Sequence, residues 1–363
     1  MFVQLNKKEI MSSILTKVCR KVSAITLLMI ILQTAYGQYD FKDLDALLTF
    51  AQKDIGRHAV VLLYKDGKTI YKKELGAMKL NEQVPIASCS KWLTAALVMT
   101  LVDEGKISLD DRASKYLPIF KEYGKEYITI RHCLTHQTGI KQEPISLGSI
   151  VFRKKYETLA DEVNDFASKK EIDYNPGEGF YYGSIGLDIA ARVCEVVTKR
   201  PFVQLITERL FRPLGMRGTT FANEDFNAGP NPSGGARSTA ADYLNFTTML
   251  LNKGVFNDKR ILSDSAVALM MTQQITTDKI RYAPPVAQGY TYGLGAWIMN
   301  ADANGKATVI TCPGLFGSFP LIDYCRGYTL VVFTKSLLTE HKKEFYNRLK
   351  GKIDEALGIQ GCN

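Results

Sequence analysis

The sequence predicts an α+β fold in which strands from both ends of the chain share one antiparallel sheet, with a mainly helical segment inserted between them. Apolar, β-branched runs typical of strands occur near the start and again near the end, at 59–63, 69–73, 292–299, 306–311, 316–323 and 328–334. Between these groups the chain is mixed helix and loop. Because ligands favour the junction between two such parts, we expect a cleft there.

The first predicted elements are a helix, a hairpin and a second helix. Amphipathic spacing predicts a helix over 43–52. The pair Asp66 and Gly67 lies between the first two strand-like runs and is typical of a two-residue hairpin turn. An apolar helix is predicted over 88–104, where Gly105 ends it.

Later helices are predicted in the middle of the chain and at its end, over 185–198, 242–252 and 342–357. The helices at the two ends would flank the sheet. This organisation predicts a signal segment, a sheet domain in two pieces and a mainly helical domain, with the active site at the junction. The expected bounds are 1–37 for the signal, 38–87 and 236–363 for the sheet domain, and 88–235 for the helical domain.

The N-terminus is typical of a secretory signal. A basic stretch at 17–21 precedes an apolar run at 22–32, which is too short to span a membrane as a helix. The small residues Ala35 and Gly37 predict cleavage before Gln38. We therefore expect secretion across the inner membrane, to the periplasm or the extracellular space. The alternative is an uncleaved membrane anchor.

The charge pattern argues against a nucleic-acid partner. The formal net charge is +9, of which the predicted signal segment carries +4. Lysines and arginines are scattered among acids, without the dense basic stripe and interleaved aromatics typical of nucleic-acid binding. The positive charge that remains would suit peripheral association with an anionic cell envelope.

No metal or cofactor site is predicted. The seven cysteines include no CxxC pair. His132 and His136 are four residues apart, but no third ligand follows, so both are interpreted as structural. Cys133 and Cys194 are expected to be buried free thiols. One disulfide stays open as an alternative, because an exported protein meets an oxidising compartment.

The strongest chemical signal is the S-x-x-K motif formed by Ser88 and Lys91 at the start of the apolar helix. A spacing of three places both side chains on one helical face. A serine hydroxyl needs a neighbouring base to become a nucleophile, and a buried lysine can supply it because burial lowers its pKa. Alone, the motif could equally be a capping serine beside a surface lysine.

A second signal follows a Pro-Gly turn, where Tyr182 stands in the run Tyr-Gly-Ser. A tyrosine beside a lysine can carry a proton between a nucleophile and a leaving group. The neighbouring Phe180 and Tyr181 are interpreted as core aromatics.

These residues resemble the serine β-lactamase and penicillin-binding-protein-like superfamily, in its class C β-lactamase-related branch of esterases and peptidases. Further matching segments stand in the order of that family, at 101–111, 116–118, 130–139, 213–216, 234–242 and 292–295. The resemblance covers about 54–340. It implies a β-lactamase/DD-peptidase-like fold, with Ser88 as the acylated nucleophile and Lys91 and Tyr182 jointly as its proton partners.

The resemblance also implies the rest of the site. The oxyanion hole would use the backbone N–H groups of Ser88 and Leu315. Substrate-binding positions would be Ser184, which stands where the family's Y-x-N motif has Asn, and Cys312 and Gly314, which match its K-T-G or H-x-G motif. A thiol in place of Lys or His removes the cation that would hold a substrate carboxylate.

The expected function is therefore a serine hydrolase that forms a covalent acyl-serine with an ester or amide of a small-molecule or peptide-like acyl substrate. Esterase or D-amino-acid peptidase activity is expected, with weak or no β-lactamase activity. One alternative is a catalytically weak protein of the same fold that binds cell-wall fragments. Another is a hydrolase that uses the thiol of Cys312.

Overall fold

The computed structural model describes residues 39–144, 148, 153–223, 225, 228–337 and 342–358. The predicted signal segment, 1–37, lies outside these ranges. The strands are β1 (Ala59–Lys65), β2 (Lys68–Leu75), β3 (Val84–Pro85), β4 (Phe180–Tyr181), β5 (Arg237–Ser238), β6 (Val255–Phe256), β7 (Lys259–Arg260), β8 (Ile280–Tyr282), β9 (Thr291–Tyr292), β10 (Trp297–Ala301), β11 (Ala307–Thr311), β12 (Phe319–Asp323) and β13 (Tyr328–Thr334).

The α-helices of the described ranges are α1 (Lys42–Phe50), α2 (Cys89–Asp103), α3 (Ile119–Glu122), α4 (Ile130–Leu134), α5 (Leu159–Lys169), α6 (Ile185–Thr198), α7 (Phe202–Ile206), α8 (Ala240–Leu251), α9 (Asp264–Met270) and α10 (Lys342–Leu357). None of them combines the length and the apolar character that crossing a membrane requires.

One antiparallel sheet joins the two ends of the chain. Its strand order is β2-β1-β13-β12-β11-β10-β9. Strand β1 pairs with β13 over its whole length, from Ala59 opposite Thr334 to Lys65 opposite Tyr328. The predicted α+β class, with early and late strands in one antiparallel sheet, is confirmed.

The hairpin between β1 and β2 follows from its turn residues. Asp66 and Gly67 both have positive φ, 49° and 81°, which matches the type I′ turn that fits the twist of the flanking strands. Along β1 successive side chains alternate between two apolar clusters, with Val60 on one face and Val61 on the other. The strand is therefore a continuous apolar run because both faces of the sheet are covered.

Helices cover both faces of the sheet. Leu44 and Leu48 of α1 and Leu349 and Ile353 of α10 are buried in the apolar cluster on one face. On the other face, α8 contacts β1, β12 and β13. The side chains of Cys89–Leu101 in α2 are all buried, so this helix is a central core element with apolar contacts on every side.

Two predicted strands are shorter in the structure because glycine turns replace part of them. The predicted run 292–299 is divided between β9 and β10 by a turn in which the Gly293 N–H donates to the carbonyl of Ala296, at 2.9 Å. Gly295 has φ +81°, and a Cβ there would lie 2.5 Å from Ala95 Cβ. The predicted run 316–323 begins only at Phe319, because 314–318 form a second turn.

Candidate active site

Ser88 stands at the N-terminus of α2, directly after a residue in an uncommon backbone conformation. Ala87 has φ +46°, in the left-handed region that non-glycine residues rarely adopt. The Ile86 N–H donates to the Ala236 carbonyl at 3.0 Å, and the Ala236 N–H donates to Ser90 Oγ at 3.0 Å. These bonds join the residues on both sides of Ser88 to the chain next to β5, and Ser88 lines the cleft.

Lys91 is buried one helical turn after Ser88. Its side chain is only 2% exposed. Its Nζ lies 3.3 Å from Ser88 Oγ and donates to the Ser233 carbonyl at 2.8 Å. Burial lowers the pKa of Lys91 to about 8, because an ammonium group is poorly solvated there. The amine can therefore act as a base towards the Ser88 hydroxyl close to neutral pH.

Tyr182 lies against Lys91 in an aromatic enclosure. The Lys91 Nζ lies 4.9 Å from the centre of the Tyr182 ring, and the rings of His136 and Trp297 pack against Tyr182 with centroids 4.6 Å and 5.1 Å away. Burial raises the pKa of Tyr182 well above its ordinary value, while an interaction with the Ser88 hydroxyl opposes that rise. The phenol thus stays protonated near neutral pH.

His136 packs against the ring of Tyr182. No hydrogen bond between His136 and Ser88 is observed within the described residues. Its Nδ1 accepts from the Gly183 N–H at 3.4 Å, and its Nε2 lies 3.1 Å from Tyr292 Oη. Burial lowers the pKa of His136 well below its ordinary value, so the ring is neutral. The bond from the Gly183 N–H to His136 fixes the residue after Tyr182, and the interpretation of His136 as structural stays a prediction.

Gly314 allows the turn after β11 to approach the backbone on either side of Ser88. A Cβ at Gly314 would lie 2.2 Å from the Ile86 carbonyl oxygen and 3.2 Å from Cys89 Sγ, so only glycine fits without displacement. The Gly314 N–H donates to the Ser318 carbonyl at 2.7 Å. This turn brings Leu315 into the cleft that Ser88 lines.

Cys312 is fully buried and contacts the backbone of Ser88. Its thiol donates to the carbonyls of Ser88, at 3.2 Å, and Gly295, at 3.5 Å. Burial raises the pKa of Cys312 to about 12, although the Lys91 charge opposes the rise. The group at this position is therefore a neutral packing element that offers no cation to a substrate carboxylate.

The cleft in front of Ser88 has a volume of about 370 Å³. Ser88, Lys91, Ser184 and Leu315 all line it, so three separate parts of the chain meet there: the start of α2, the start of α6 and the turn after β11. Ser184 is the residue before α6 and makes no capping bond with its hydroxyl, which leaves the hydroxyl available to a substrate.

One residue that lies beside Ser184 was not predicted from the sequence. Gln142 lines the same cleft, and its amide nitrogen donates to the Tyr181 carbonyl at 2.9 Å. Its amide oxygen is buried and has no hydrogen-bond partner within the described residues. No local motif marks this glutamine, because its place in the site depends on how the chain after Gly139 folds over Tyr181.

An ionic group of which Arg153 and Glu162 line the cleft was also not predicted. Arg153 Nη2 lies 2.6 Å from Glu162 Oε1 and 3.5 Å from Asp188 Oδ2. Burial, reinforced by the Glu162 carboxylate, raises the pKa of Asp188 to about 7, while Arg153 and Lys91 oppose the rise. Across the described ranges, no cluster of three or more His, Cys, Asp or Glu side chains is arranged to hold a metal ion.

Comparison with known proteins gives the same family as the motifs. The Beta-lactamase family model matches residues 49–353. "Protein flp" of Staphylococcus aureus (strain MW2) is 30% identical over 327 residues, which cover 81% of this chain and 62% of that protein. The chain thus spans less than two thirds of the length of this relative.

Solved structures share the fold. A candidate beta-lactamase from Bacteroides dorei DSM 17855 is 28% identical, with a TM-score of 0.78 over 88% of this chain and 100% of its own. EstCE1, a hydrolase with promiscuous acyltransferase activity, is 20% identical, with a TM-score of 0.71 over 86% of this chain and 97% of its own. Because the family model covers most of the sequence and the fold agrees, the chain belongs to the beta-lactamase family, a family of serine hydrolases.

Proposed function

We propose that this chain is a serine hydrolase that cleaves an ester or amide through a covalent acyl-serine at Ser88. The observation that supports it most strongly is the buried Lys91 amine, 3.3 Å from Ser88 Oγ. Because burial lowers the pKa of Lys91 to about 8, unprotonated amine is present near neutral pH to accept the serine proton.

The reaction has two halves. Ser88 Oγ bonds to the substrate carbonyl carbon as its proton passes to Lys91 Nζ, and the backbone N–H groups of Ser88 and Leu315 stabilise the oxyanion. The intermediate collapses with cleavage of the bond to the leaving group, which receives the proton through the Tyr182 hydroxyl. Water then attacks the acyl-serine, the acid departs, and Ser88 Oγ regains a proton.

The substrate is proposed to be an ester or a D-amino-acid peptide, with β-lactams hydrolysed weakly or not at all. The buried thiol of Cys312 gives no cation for a carboxylate, and the short side chain of Ser184 reaches less far than an asparagine. EstCE1, which shares the fold, is described as a hydrolase with promiscuous acyltransferase activity. That is the same class of acyl transfer.

The site of action is proposed to be outside the inner membrane, in the periplasm or beyond the cell, with peripheral association with the envelope. Support comes from the basic and apolar N-terminal sequence and from Cys325, which is disulfide-bonded. Disulfides persist in oxidising compartments and are rare in the cytosol.

Labelling with a fluorophosphonate probe tests the proposed function. Intact-mass spectrometry should show one adduct on the wild type and none on Ser88→Ala. The Cys312→Ser variant is the matched control and should be labelled like the wild type, because the thiol is buried away from the cleft. A folded wild type without any adduct would instead favour the alternative, a protein that binds cell-wall fragments. Loss of labelling in Cys312→Ser alone would favour the thiol hydrolase.

A further inference from the structure

Asp188 is a fully buried carboxylate of α6 that the reaction above does not use. Its Oδ1 accepts from the Ser233 N–H at 3.1 Å, and its Oδ2 lies 3.4 Å from the Ser233 hydroxyl, which donates to Asn231 Oδ1 at 2.9 Å. Arg153 approaches Oδ2 at 3.5 Å. A buried carboxylate is unfavourable unless it is paired and hydrogen-bonded, and the Ser233 N–H and Arg153 provide these partners.

Ser233 connects this carboxylate to the catalytic lysine. Ser233, which Asp188 holds through its backbone N–H, offers its carbonyl to Lys91 Nζ at 2.8 Å. The neighbouring Pro232 carbonyl accepts from Thr94 Oγ1, one turn further along α2, at 2.7 Å. The segment around Ser233 therefore lies between α6 and α2, with Asp188 on one side and Lys91 on the other.

Near neutral pH, few of the groups around Lys91 carry charge. The ionisable groups that face it are Cys89, His136, Arg153, Tyr182, Asp188 and Cys312. Burial keeps both thiols and the phenol protonated and the imidazole neutral. The remaining ionisable groups are Arg153, which is charged, and Asp188, which is partly ionised near its pKa of about 7 and mostly ionised near the Lys91 pKa of about 8. Asp188 itself is faced by Glu162, Arg153 and Lys91.

We propose that Asp188 is a positioning residue for Lys91: it fixes Ser233, whose carbonyl holds the lysine nitrogen beside Ser88, and it provides the anion that balances the lysine charge. Where catalysis is concerned, this inference rests on the proposed function. The structural part of the inference, that Ser233 links the buried side chains of Asp188 and Lys91, depends only on the observed contacts. Asp188 acts through Lys91 and does not line the cleft.

The direct test is the protonation of Lys91, measured by NMR titration of its ¹³Cε resonance, with Lys91→Arg used for assignment. Asp188→Asn keeps the size and the acceptor for the Ser233 N–H but removes the charge. Because Asp188 raises the pKa of Lys91 against the effect of burial, the variant should lower that pKa by about one unit. An unchanged Lys91 pKa in folded Asp188→Asn would overturn the proposal.

The matched control is Asp165→Asn on the neighbouring helix α5. Asp165 pairs with Lys154 and Lys169 and has no observed bond to Ser233. Asp165→Asn should leave the Lys91 pKa within about 0.3 unit of the wild type, because two lysines already balance the charge of Asp165 and salt screens what remains. A shift equal to that of Asp188→Asn would show a general charge effect and would also overturn the proposal.

A wild-type measurement covers the case in which Asp188→Asn does not fold. With the aspartate ¹³Cγ and lysine ¹³Cε labelled, the resonances of Asp188 and Lys91 should report the same two titration steps, because interacting groups titrate together. Independent single steps would contradict the coupling.

Fluorophosphonate labelling then separates this inference from the proposed function. The pH midpoint of the Ser88 labelling rate should fall by about one unit in Asp188→Asn and stay constant in Asp165→Asn. A wild type that is never labelled would refute the hydrolase, while the NMR titration would still decide the link between Asp188 and Lys91.

Discussion

Burial shifts the pKa values of the two ionisable side chains next to Ser88 in opposite directions. It lowers the pKa of Lys91 to about 8 and raises that of Tyr182 well above its ordinary value. Near neutral pH the free protein therefore contains some unprotonated Lys91 amine, which can accept a proton, whereas Tyr182 stays protonated and can act only as a relay that gives up one proton as it receives another. From the sequence, Lys91 and Tyr182 were assigned jointly as proton partners of Ser88, because the motifs do not show that their side chains are buried.

Replacing Lys91 with Met should abolish acylation of Ser88 and stabilise the fold at the same time. An unfolded lysine titrates near pH 10.4, roughly two units above the folded value, so the folded chain binds fewer protons. Its stability accordingly falls as the pH decreases from above 10 to about 8 and stays low below that. At pH 7, Lys91→Met should be more stable by up to about 3 kcal/mol.

Denaturant unfolding at pH 7 and at about pH 10.5 measures this difference, which should shrink at the higher pH. The exposed Lys106 offers a control, since Lys106→Met should change stability by no more than about 0.5 kcal/mol. A Lys91→Met variant that is still acylated, or that gains nothing at pH 7, would contradict the assigned role.

The residues of the site differ in how far sequence predicts them. Ser88, Lys91 and Tyr182 stand in local motifs whose spacing has a chemical reason. Gln142 and Asp188 stand in none, because they reach the site only through tertiary packing. The burial of the thiol of Cys312 is likewise a property of the fold.

At the scale of elements, two glycine turns set the site's geometry. The turn at 293–296 packs Gly295 against Ala95 of α2, and the turn at 314–318 packs Gly314 against the Ile86 carbonyl before Ser88. Apolar periodicity predicted strands through part of both, since neighbouring residues are buried as in a strand. Each turn is required by close contact with a distant part of the chain. A local sequence pattern carries no information about such a contact.

Gly314→Ala should therefore damage the oxyanion hole more than the fold. Its Cβ would lie 2.2 Å from a backbone oxygen, so the turn that carries Leu315 must move. We expect the labelling rate of Ser88 to fall by about tenfold or more, with a loss of stability of about 1–3 kcal/mol.

Labelling kinetics and denaturant unfolding give both values. Gly351→Ala is the control, because a Cβ there meets no atom within 4 Å, and it should label at the wild-type rate. Gly314→Ala with an unchanged labelling rate would show that the position of this turn does not govern the reaction.

At the scale of the whole molecule, the sheet joins the chain's two ends and the cleft collects side chains from distant segments. The α+β fold class was predicted correctly because strand-like runs at both ends of the chain, and the helical stretch between them, can be recognised without knowledge of tertiary contacts. The domain bounds at 38–87, 88–235 and 236–363 remain a prediction. The cleft is harder to predict. Ser88, Ser184 and Leu315 are far apart in the sequence and come together only in the folded chain, in which β1 pairs with β13 and α2 is buried.

The central claim is the covalent acyl-serine, and trapping it is the most direct test. The wild type is mixed with a p-nitrophenyl ester, quenched in acid during turnover, and digested for peptide mapping by mass spectrometry. The acyl group should be found on Ser88 and should disappear on longer incubation as water releases the acid. Ester hydrolysis without acylated Ser88, or with the acyl group on Cys312, would contradict the proposed mechanism.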